Sequence, residues 1–181
     1  MKSSLKNILE SLIFVSIEPL TPEKIKNVLT DHSENDIDRA LQELVDRYDS
    51  PDSGICVIQS AGGYLFSTKS ELDPWVKKLL NLDKRSRLSP AALETLTIIA
   101  YHQPITLAEI SAIRGVDSSH SLKTLLLKRL VKITGRKKAP GKPLIYRTST
   151  KFLTYFGLNS LQDLPSTEEI EKILEEEPDA E

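Results

Sequence analysis

LSPAALETLTIIAYHQPITLAEISAIRG, residues 88–115, is the stretch from which the fold can be predicted most directly. Ser89 is a suitable N-cap, and Pro90 after it occupies the first helical position, where proline is tolerated. Apolar residues then recur at helical spacing at Leu93, Leu96, Ile99 and Ala100. The stretch therefore begins with one amphipathic helix.

A second helix follows the turn at 102–104. Thr106 is positioned to cap it, with Glu109 three residues later completing a capping box, and Gly115 suits a left-handed helix end. A third helix is predicted from about Ser119. Three such helices with short turns indicate a helix-turn-helix unit.

The residues after the third helix predict a β-hairpin. Val131 and Ile133 form a β-branched pair, a long basic tip spans 135–143, and an apolar run follows at 144–146. A hairpin after three helices makes this unit a winged helix.

The first half of the chain repeats this layout about 85 residues earlier. Pro19-Leu20-Thr21 corresponds to Pro104-Ile105-Thr106, and Ile25 to Ile110, so the caps recur in register. The predicted fold is α+β and mostly helical, with two tandem winged-helix domains, each a three-helix core with a β-hairpin wing.

In the first domain, N-caps are predicted at Thr21, Asn35 and Ser70. The glycines at 62–63 suit the tight turn of its hairpin. The helix after the hairpin contains Trp75 among apolar neighbours, so Trp75 is interpreted as a core residue or a dimer anchor.

The predicted domain boundaries follow from patterning. Residues 1–80 form the N-terminal domain, the polar and unpatterned 81–87 an exposed linker, and 88–165 the C-terminal domain, in which Thr150 caps a last short helix. Residues 166–181 form an acidic tail for which the density of acids favours disorder.

Charge is distributed unevenly along the chain. The net charge is −2, yet residues 167–181 contain eight acids against one lysine, while 118–151 contain ten Lys or Arg and no acid. The second winged helix therefore carries a basic face. Such a face is suited to bind phosphate groups or an acidic protein segment. The alternative is that these side chains are only solvated and bind no partner.

Three fragments carry a family resemblance: LSPAALETLTIIAYHQPIT, EISAIRGVDSS and KAPGKPLIYRTSTKFLTYFGLNSLQDLP. In this order they resemble the bacterial segregation and condensation protein B family over about residues 88–165. The resemblance implies a homodimer, held mainly by its N-terminal domain, that binds the kleisin ScpA and through it SMC. The implied role is chromosome condensation and partition during cell division, in the cytoplasm and at the nucleoid, with indirect or weak DNA association.

The sequence contains no recognisable catalytic or cofactor-binding motif. His32, His102 and His120 have no partner at ligand spacing, the glycines at 62–63 lack the context of a nucleotide loop, and Cys56 is the single cysteine. We expect no enzyme, metal, cofactor or membrane span, and we interpret Cys56 as a buried strand thiol of a cytoplasmic protein.

The third helix of the second domain is the candidate partner-binding element. Leu127 lies off the apolar stripe of this helix, so it either packs under the wing or is exposed, and Lys123 and Lys128 flank it. The basic rim is predicted at Arg136, Lys137, Lys138 and Lys142. DNA readers usually present hydrogen-bonding side chains here, so a protein partner is favoured. The alternative is a tandem winged-helix transcription regulator that binds DNA.

Overall fold

The computed structural model describes residues 4–80, 88–166, 168–170 and 172, which form two winged-helix domains in tandem. The helices are α1 (Leu5–Val15), α2 (Pro22–Val28), α3 (Glu34–Tyr48), α4 (Asp73–Leu79), α5 (Pro90–His102), α6 (Leu107–Arg114), α7 (Ser119–Leu127) and α8 (Thr150–Phe156). The strands are β1 (Ile55–Ser60), β2 (Gly63–Thr68), β3 (Ile105–Thr106), β4 (Val131–Arg136) and β5 (Leu144–Thr148). The predicted α+β fold with two winged helices is confirmed.

The first domain packs three helices against an antiparallel hairpin. Strands β1 and β2 pair from Ile55 opposite Thr68 to Ser60 opposite Gly63. The fully buried side chains of its core are Leu9, Ile13, Ile25, Ile37, Leu41 and Leu44. They come from all three helices, so this domain has an apolar core of its own.

Gly63 is required at the hairpin for close approach of the backbone. A Cβ atom there would lie 2.8 Å from the backbone carbons of Pro19 and Leu20, much closer than van der Waals contact allows. The positive φ angles of the turn belong to Ala61 (51°) and Gly62 (72°). The two glycines therefore have different roles: Gly62 shares the left-handed turn conformation with Ala61, and Gly63 allows the close approach.

The second domain has the same plan with a three-stranded sheet in the order β3-β5-β4. Ile105 pairs with Tyr146, and a bulge between Ile133 and Gly135 bends the wing. Large buried residues of its core are Leu96, Ile99, Ile110, Leu122, Leu125, Leu130 and Phe152. Leu93, counted in the predicted stripe, is instead 42% exposed.

The helix boundaries of the central stretch are as predicted. Ser89 accepts a hydrogen bond from the backbone of the first turn of α5, Thr106 and Glu109 form a reciprocal capping box on α6, and Gly115 is left-handed with φ 74°. These local signals set where α5 and α6 begin and where α6 ends.

Three other predicted caps are wrong. Helix α3 is capped by Ser33 instead of Asn35, and α8 by Ser149 instead of Thr150. Ser70 begins a short 3-10 turn that leads into α4, and neither that turn nor α4 has a side-chain cap. Where two capping residues stand close together, the sequence alone does not decide which one is used.

A backbone carbonyl of the second domain contacts the hairpin turn of the first. The oxygen of Leu158 accepts hydrogen bonds from the backbone N–H of Ala61 at 2.9 Å and from the hydroxyl of Ser60 at 3.0 Å. Ser60 is buried, so this contact lies in the interior of the domain junction. The predicted linker, 81–87, lies outside the described residues.

The end of the described chain is attached to the second domain. The hydroxyl of Tyr101 donates to the carbonyl oxygen of Pro165 at 2.7 Å. Ser166 and Glu169 then exchange capping hydrogen bonds and begin a helical turn at the start of the segment for which disorder was expected. Residues 173–181 of that segment lie outside the described residues.

Candidate partner-binding surfaces

The exposed edge of α7 carries one apolar side chain between polar ones. His120, Lys123 and Leu127 recur at spacings of three and four residues, which places them on one stripe of the helix, and all three are exposed. Leu127 is 76% exposed. The sequence left open whether this side chain packs under the wing or is exposed, and the structure shows that it is exposed. The opposite face, with Leu122 and Leu125, is buried.

The N-terminus of α7 is fixed by a small polar network. The guanidinium of Arg114, almost entirely buried, binds the carboxylate of Glu94 at 2.8 Å and the hydroxyl of Ser118 at 3.2 Å. The backbone N–H of Ser118 in turn donates to the hydroxyl of Ser111 at 3.2 Å. The position of the α7 edge is therefore set by contacts from both α5 and α6.

The two lysines predicted beside Leu127 differ in solvent exposure. Lys123 is exposed, whereas Lys128 is half-buried at the end of α7, where its backbone N–H donates to the carbonyls of Thr124 and Leu126. The hydroxyl of Thr124 donates to the carbonyl of His120 at 3.1 Å. On this edge the exposed polar side chains beside Leu127 are therefore those of His120 and Lys123.

The basic wing is partly held by internal contacts. Arg136 donates from its guanidinium to the carbonyl oxygen of Lys142 at 3.0 Å, which closes the tip. The ammonium group of Lys137 binds the carboxylate of Glu109. Lys138 and Lys142 present exposed side chains. The wing is therefore a braced structure in which Lys137 is already paired.

Glu109 connects the wing to the helix-turn-helix. Its carboxylate accepts hydrogen bonds from Lys137 and from the backbone N–H and hydroxyl of Thr106. The bond from Lys137 lowers the pKa of Glu109 most, the two from Thr106 add to the effect, and the pKa falls to about 2. Glu109 therefore carries a full negative charge at neutral pH.

A groove between α6 and the wing lies beside this contact. It encloses about 450 Å³, and its walls include Leu107, Ala108, Ser111, Pro143 and Leu144. Its surface is mainly apolar with Asp117 at one side. Such a groove has the size for one or two apolar side chains of a partner segment.

Helix α4 has no buried residue and presents apolar side chains outward. Trp75 is 67% exposed, and Leu79 and Leu80 are also exposed. The interpretation of Trp75 as a core residue is therefore wrong, and only the dimer-anchor interpretation remains. Periodicity did not distinguish these cases, because a helix face has the same pattern whether its own domain or a second chain covers it.

The end of α1 adds a second apolar area in the first domain. Phe14, Val15 and Ile17 are largely exposed, and the ring of Phe14 lies 6.4 Å from that of Phe66. A pocket of about 440 Å³ opens there between α1, α3 and the hairpin. At its edge the hydroxyl of Tyr48 donates to Glu10, which raises the pKa of Tyr48.

Among the described residues, no three His, Cys, Asp or Glu side chains are grouped so that they could hold a metal ion. His32, His102 and His120 are all exposed, and Cys56 is half-buried, less enclosed than predicted. Within the same described part of the chain, no helix is both long and apolar enough to cross a membrane.

Comparison with known proteins gives consistent matches along the chain. Residues 7–167 match the family model of segregation and condensation complex subunit ScpB. Segregation and condensation protein B of Symbiobacterium thermophilum is 45% identical over 163 residues, which cover 90% of this chain and 74% of that protein. The Clostridium tetani protein of the same name is 41% identical over 171 residues, covering 94% and 90%. A solved structure of a dimer of ScpB N-terminal domain complexed with ScpA peptide is 32% identical, covers 44% of this chain and 93% of that one, and has a TM-score of 0.40.

Proposed function

The chain belongs to the family of segregation and condensation complex subunit ScpB, and from that premise we propose that it is a non-enzymatic accessory subunit that binds the kleisin ScpA. Through the kleisin it joins an SMC protein at the nucleoid and acts in chromosome condensation and partition during cell division. Its contribution is to hold protein segments, and its association with DNA is indirect or weak.

The exposed edge of α7 is the observation that carries this proposal. In a DNA-reading winged helix the exposed side chains of the third helix reach base edges, which are recognised by hydrogen bonds. Here Leu127 lies at the C-terminal end of that edge with 76% of its surface exposed. An isolated exposed leucine is common, but one on the recognition edge of a helix-turn-helix suits an apolar anchor of a partner protein.

The basic wing forms a rim beside this edge. Lys138 and Lys142 are exposed, while Lys137 and Arg136 are held by Glu109 and by a backbone carbonyl. Exposed rim charges mainly raise the association rate and contribute little to the final affinity. The wing therefore steers an acidic kleisin segment, and the apolar edge of α7 retains it.

Self-association is assigned to the first domain. Large apolar side chains are exposed on α4 and at the end of α1, including Trp75, Leu79, Phe14 and Ile17. Covering them in a symmetric pair removes apolar surface from water and places two kleisin-binding domains in one assembly. The homodimer is thus held mainly by the N-terminal domain, residues 1–80.

A DNA-binding transcription regulator is the second candidate, and the ten cations without an acid in 118–151 favour it. The two candidates differ in their partner. A pull-down of the companion kleisin beside a DNA-binding assay at physiological salt separates them, because a family subunit captures the kleisin and shows no sequence preference for DNA. Preference for one DNA sequence with no kleisin capture would favour the regulator.

A further inference from the structure

The cations along the hairpin of the second domain form two clusters. The first surrounds the wing tip and consists of Arg136, Lys137, Lys138 and Lys142. The second, which we call the basal cluster, lies at the base of the wing and consists of Arg129, Lys132, Arg147 and Lys151, all of them exposed. Lys132 and Arg147 are opposite each other on β4 and β5, so their side chains lie on the same face of the sheet.

A groove of about 620 Å³ opens beside the basal cluster. Three of the four basal cations, all except Arg147, line one of its walls. The opposite wall belongs to the first domain and includes Ile17, Glu18 and Leu65. Three cations therefore face one carboxylate and an apolar surface, and the electrostatic potential in the groove is positive.

The basal cations have no internal counter-ion. Among the residues that the structure describes, none of the four forms an ion pair with a carboxylate, whereas Arg114 and Lys137 of the same domain do. Like charges directly opposite each other on neighbouring strands destabilise a hairpin. Arg129 also has a φ of 59°, a left-handed conformation that is unfavourable for side chains other than glycine. An anion bound between these side chains would offset their repulsion.

An exposed aromatic ring lies next to the basal cluster on α8. Tyr155 follows Lys151 by four positions, so the two side chains lie on one stripe of the helix, and Tyr155 is 52% exposed. Its ring centroid lies 5.1 Å from that of Phe156, whose own ring lies 5.0 Å from that of the buried Phe152. Tyr155 is therefore braced against the core through Phe156, while about half of its surface is open to solvent.

Cations beside an exposed aromatic ring are the combination that binds single-stranded nucleic acid. Arg and Lys side chains neutralise the phosphates, and an aromatic ring stacks on a base of any type. An acidic peptide would use the cations and leave the ring without a role. The bases of a duplex are stacked on one another and are not free to stack on Tyr155. These observations favour a single strand over both alternatives.

We propose that the basal cluster and Tyr155 form a sequence-independent binding site for single-stranded nucleic acid. Successive phosphates lie along the basic wall of the groove, and one base stacks on Tyr155. Binding that rests mainly on phosphate neutralisation is weak, with dissociation constants of about 1–100 μM. The exposed edge of α7 takes no part in this site, so the inference does not depend on kleisin binding.

Fluorescence anisotropy of a labelled oligothymidylate with the full-length protein tests the proposal. An oligomer of about twelve nucleotides should bind with a dissociation constant of about 10 μM at low salt. The logarithm of the binding constant should fall against the logarithm of the salt concentration with a slope of about −3, because each neutralised phosphate of a single strand contributes about 0.7. A duplex of the same length should bind at least about five-fold more weakly, since it lacks the stacked base.

Two variants with the same loss of charge locate the phosphates. Lys132→Ser combined with Arg147→Ser should weaken binding at least about ten-fold and reduce the salt slope by about 1.4. Lys138→Ser combined with Lys142→Gly removes two charges from the wing tip, where glycine suits the φ of 42° at position 142. This control should change the affinity by less than about two-fold. An equal loss in both variants would show diffuse attraction to a basic domain and would overturn the proposed site.

Substitution of Tyr155 tests the stacking contact. Tyr155→Ala should weaken the binding of oligothymidylate about ten-fold, the effect of losing one stacked base, and Tyr155→Phe should retain the native affinity. An oligomer of the same length without bases should bind the native chain and Tyr155→Ala equally. The proposal is wrong if Tyr155→Ala binds oligothymidylate as the native chain does, or if the duplex or a polyglutamate peptide of equal charge binds the native chain more tightly than the single strand.

Discussion

The ammonium group of Lys137 at the wing binds the carboxylate of Glu109, which also caps helix α6. Glu109 and Lys137 are 28 positions apart in the sequence, so this one carboxylate connects helix α6 to the wing. The wing of the second domain is thereby braced against its helix-turn-helix, and its rim presents fewer free charges than the sequence indicates.

The pH dependence of stability should report this contact. The pKa of Glu109 is about 2 in the folded protein against an ordinary value of 4.5. A carboxyl group whose pKa is lowered by folding stabilises the folded state above its unfolded pKa and loses that contribution as the pH falls. The stability difference between the native chain and Glu109→Gln should therefore be constant above pH 5 and decline between about 4.5 and 2.

Urea unfolding at several pH values measures this difference. Taking the difference between two proteins removes the contributions of Asp117, Asp163 and Glu169, whose pKa values are also lowered by hydrogen bonds. A difference that stays constant from pH 6 to 2 would show that Glu109 does not hold its charge in these contacts.

Substitution of two leucines of α7 should change the free energy of unfolding by very different amounts. Leu125 is fully buried, so Leu125→Ala should lower the free energy of unfolding by about 2–5 kcal/mol. Leu127 is exposed, so Leu127→Glu should change it by no more than about 0.5 kcal/mol. Denaturant unfolding of the two variants checks this, and a large loss of stability for Leu127→Glu would place this side chain in the domain interior.

Trp75 provides a direct optical test of the dimer. It is the single tryptophan of the chain and is largely exposed within the protomer. If α4 is covered by a second copy, the fluorescence maximum should shift to shorter wavelength as concentration rises, in step with the mass from light scattering. Trp75→Glu should give a monomer that remains folded.

Tyr155→Glu is the matched control for the dimer, since Tyr155 is an exposed aromatic residue of the second domain. This variant should remain dimeric. If the dimer survived Trp75→Glu and was lost in Tyr155→Glu, self-association would belong to the second domain and the assignment to the first domain would be wrong.

Limited trypsin digestion should separate the domains. Lys84, Arg85 and Arg87 lie in the predicted linker, whereas most other basic residues lie on helices or strands, which resist cleavage. The first products should be fragments of roughly equal size, identified by mass spectrometry. Early cleavage at Arg114 or Lys123 with 84–87 intact would contradict this boundary.

Local signals account for the parts of the fold that could be predicted. The capping box of Thr106 and Glu109 and the left-handed Gly115 act within a few residues, so their geometry follows from the sequence. The pattern predicts a cap at Asn35, whereas Ser33 is used, because both residue types can cap and they stand two positions apart. The error is one of position, and the helix itself was correctly predicted.

Long-range contacts account for what could not be predicted. The pairing of Lys137 with Glu109 depends on how the wing folds back, which no local pattern encodes. The exposure of Trp75 depends on α4 lying outside the core of its own domain. For Leu127, the helical geometry placed the side chain off the buried stripe, but only the position of the wing decided that it is exposed.

Calorimetric titration of the companion kleisin into the full-length protein tests the central claim most directly. Leu127→Glu should weaken binding at least about thirty-fold, the effect of losing an anchor worth about 2 kcal/mol. Val28→Glu places the same charge on an exposed aliphatic position of the first domain and should leave the affinity unchanged. Changing Arg136, Lys137 and Lys138 together to serine should weaken binding about five-fold or less, since they form only the rim. Kleisin affinity that is unaltered by Leu127→Glu would contradict the account.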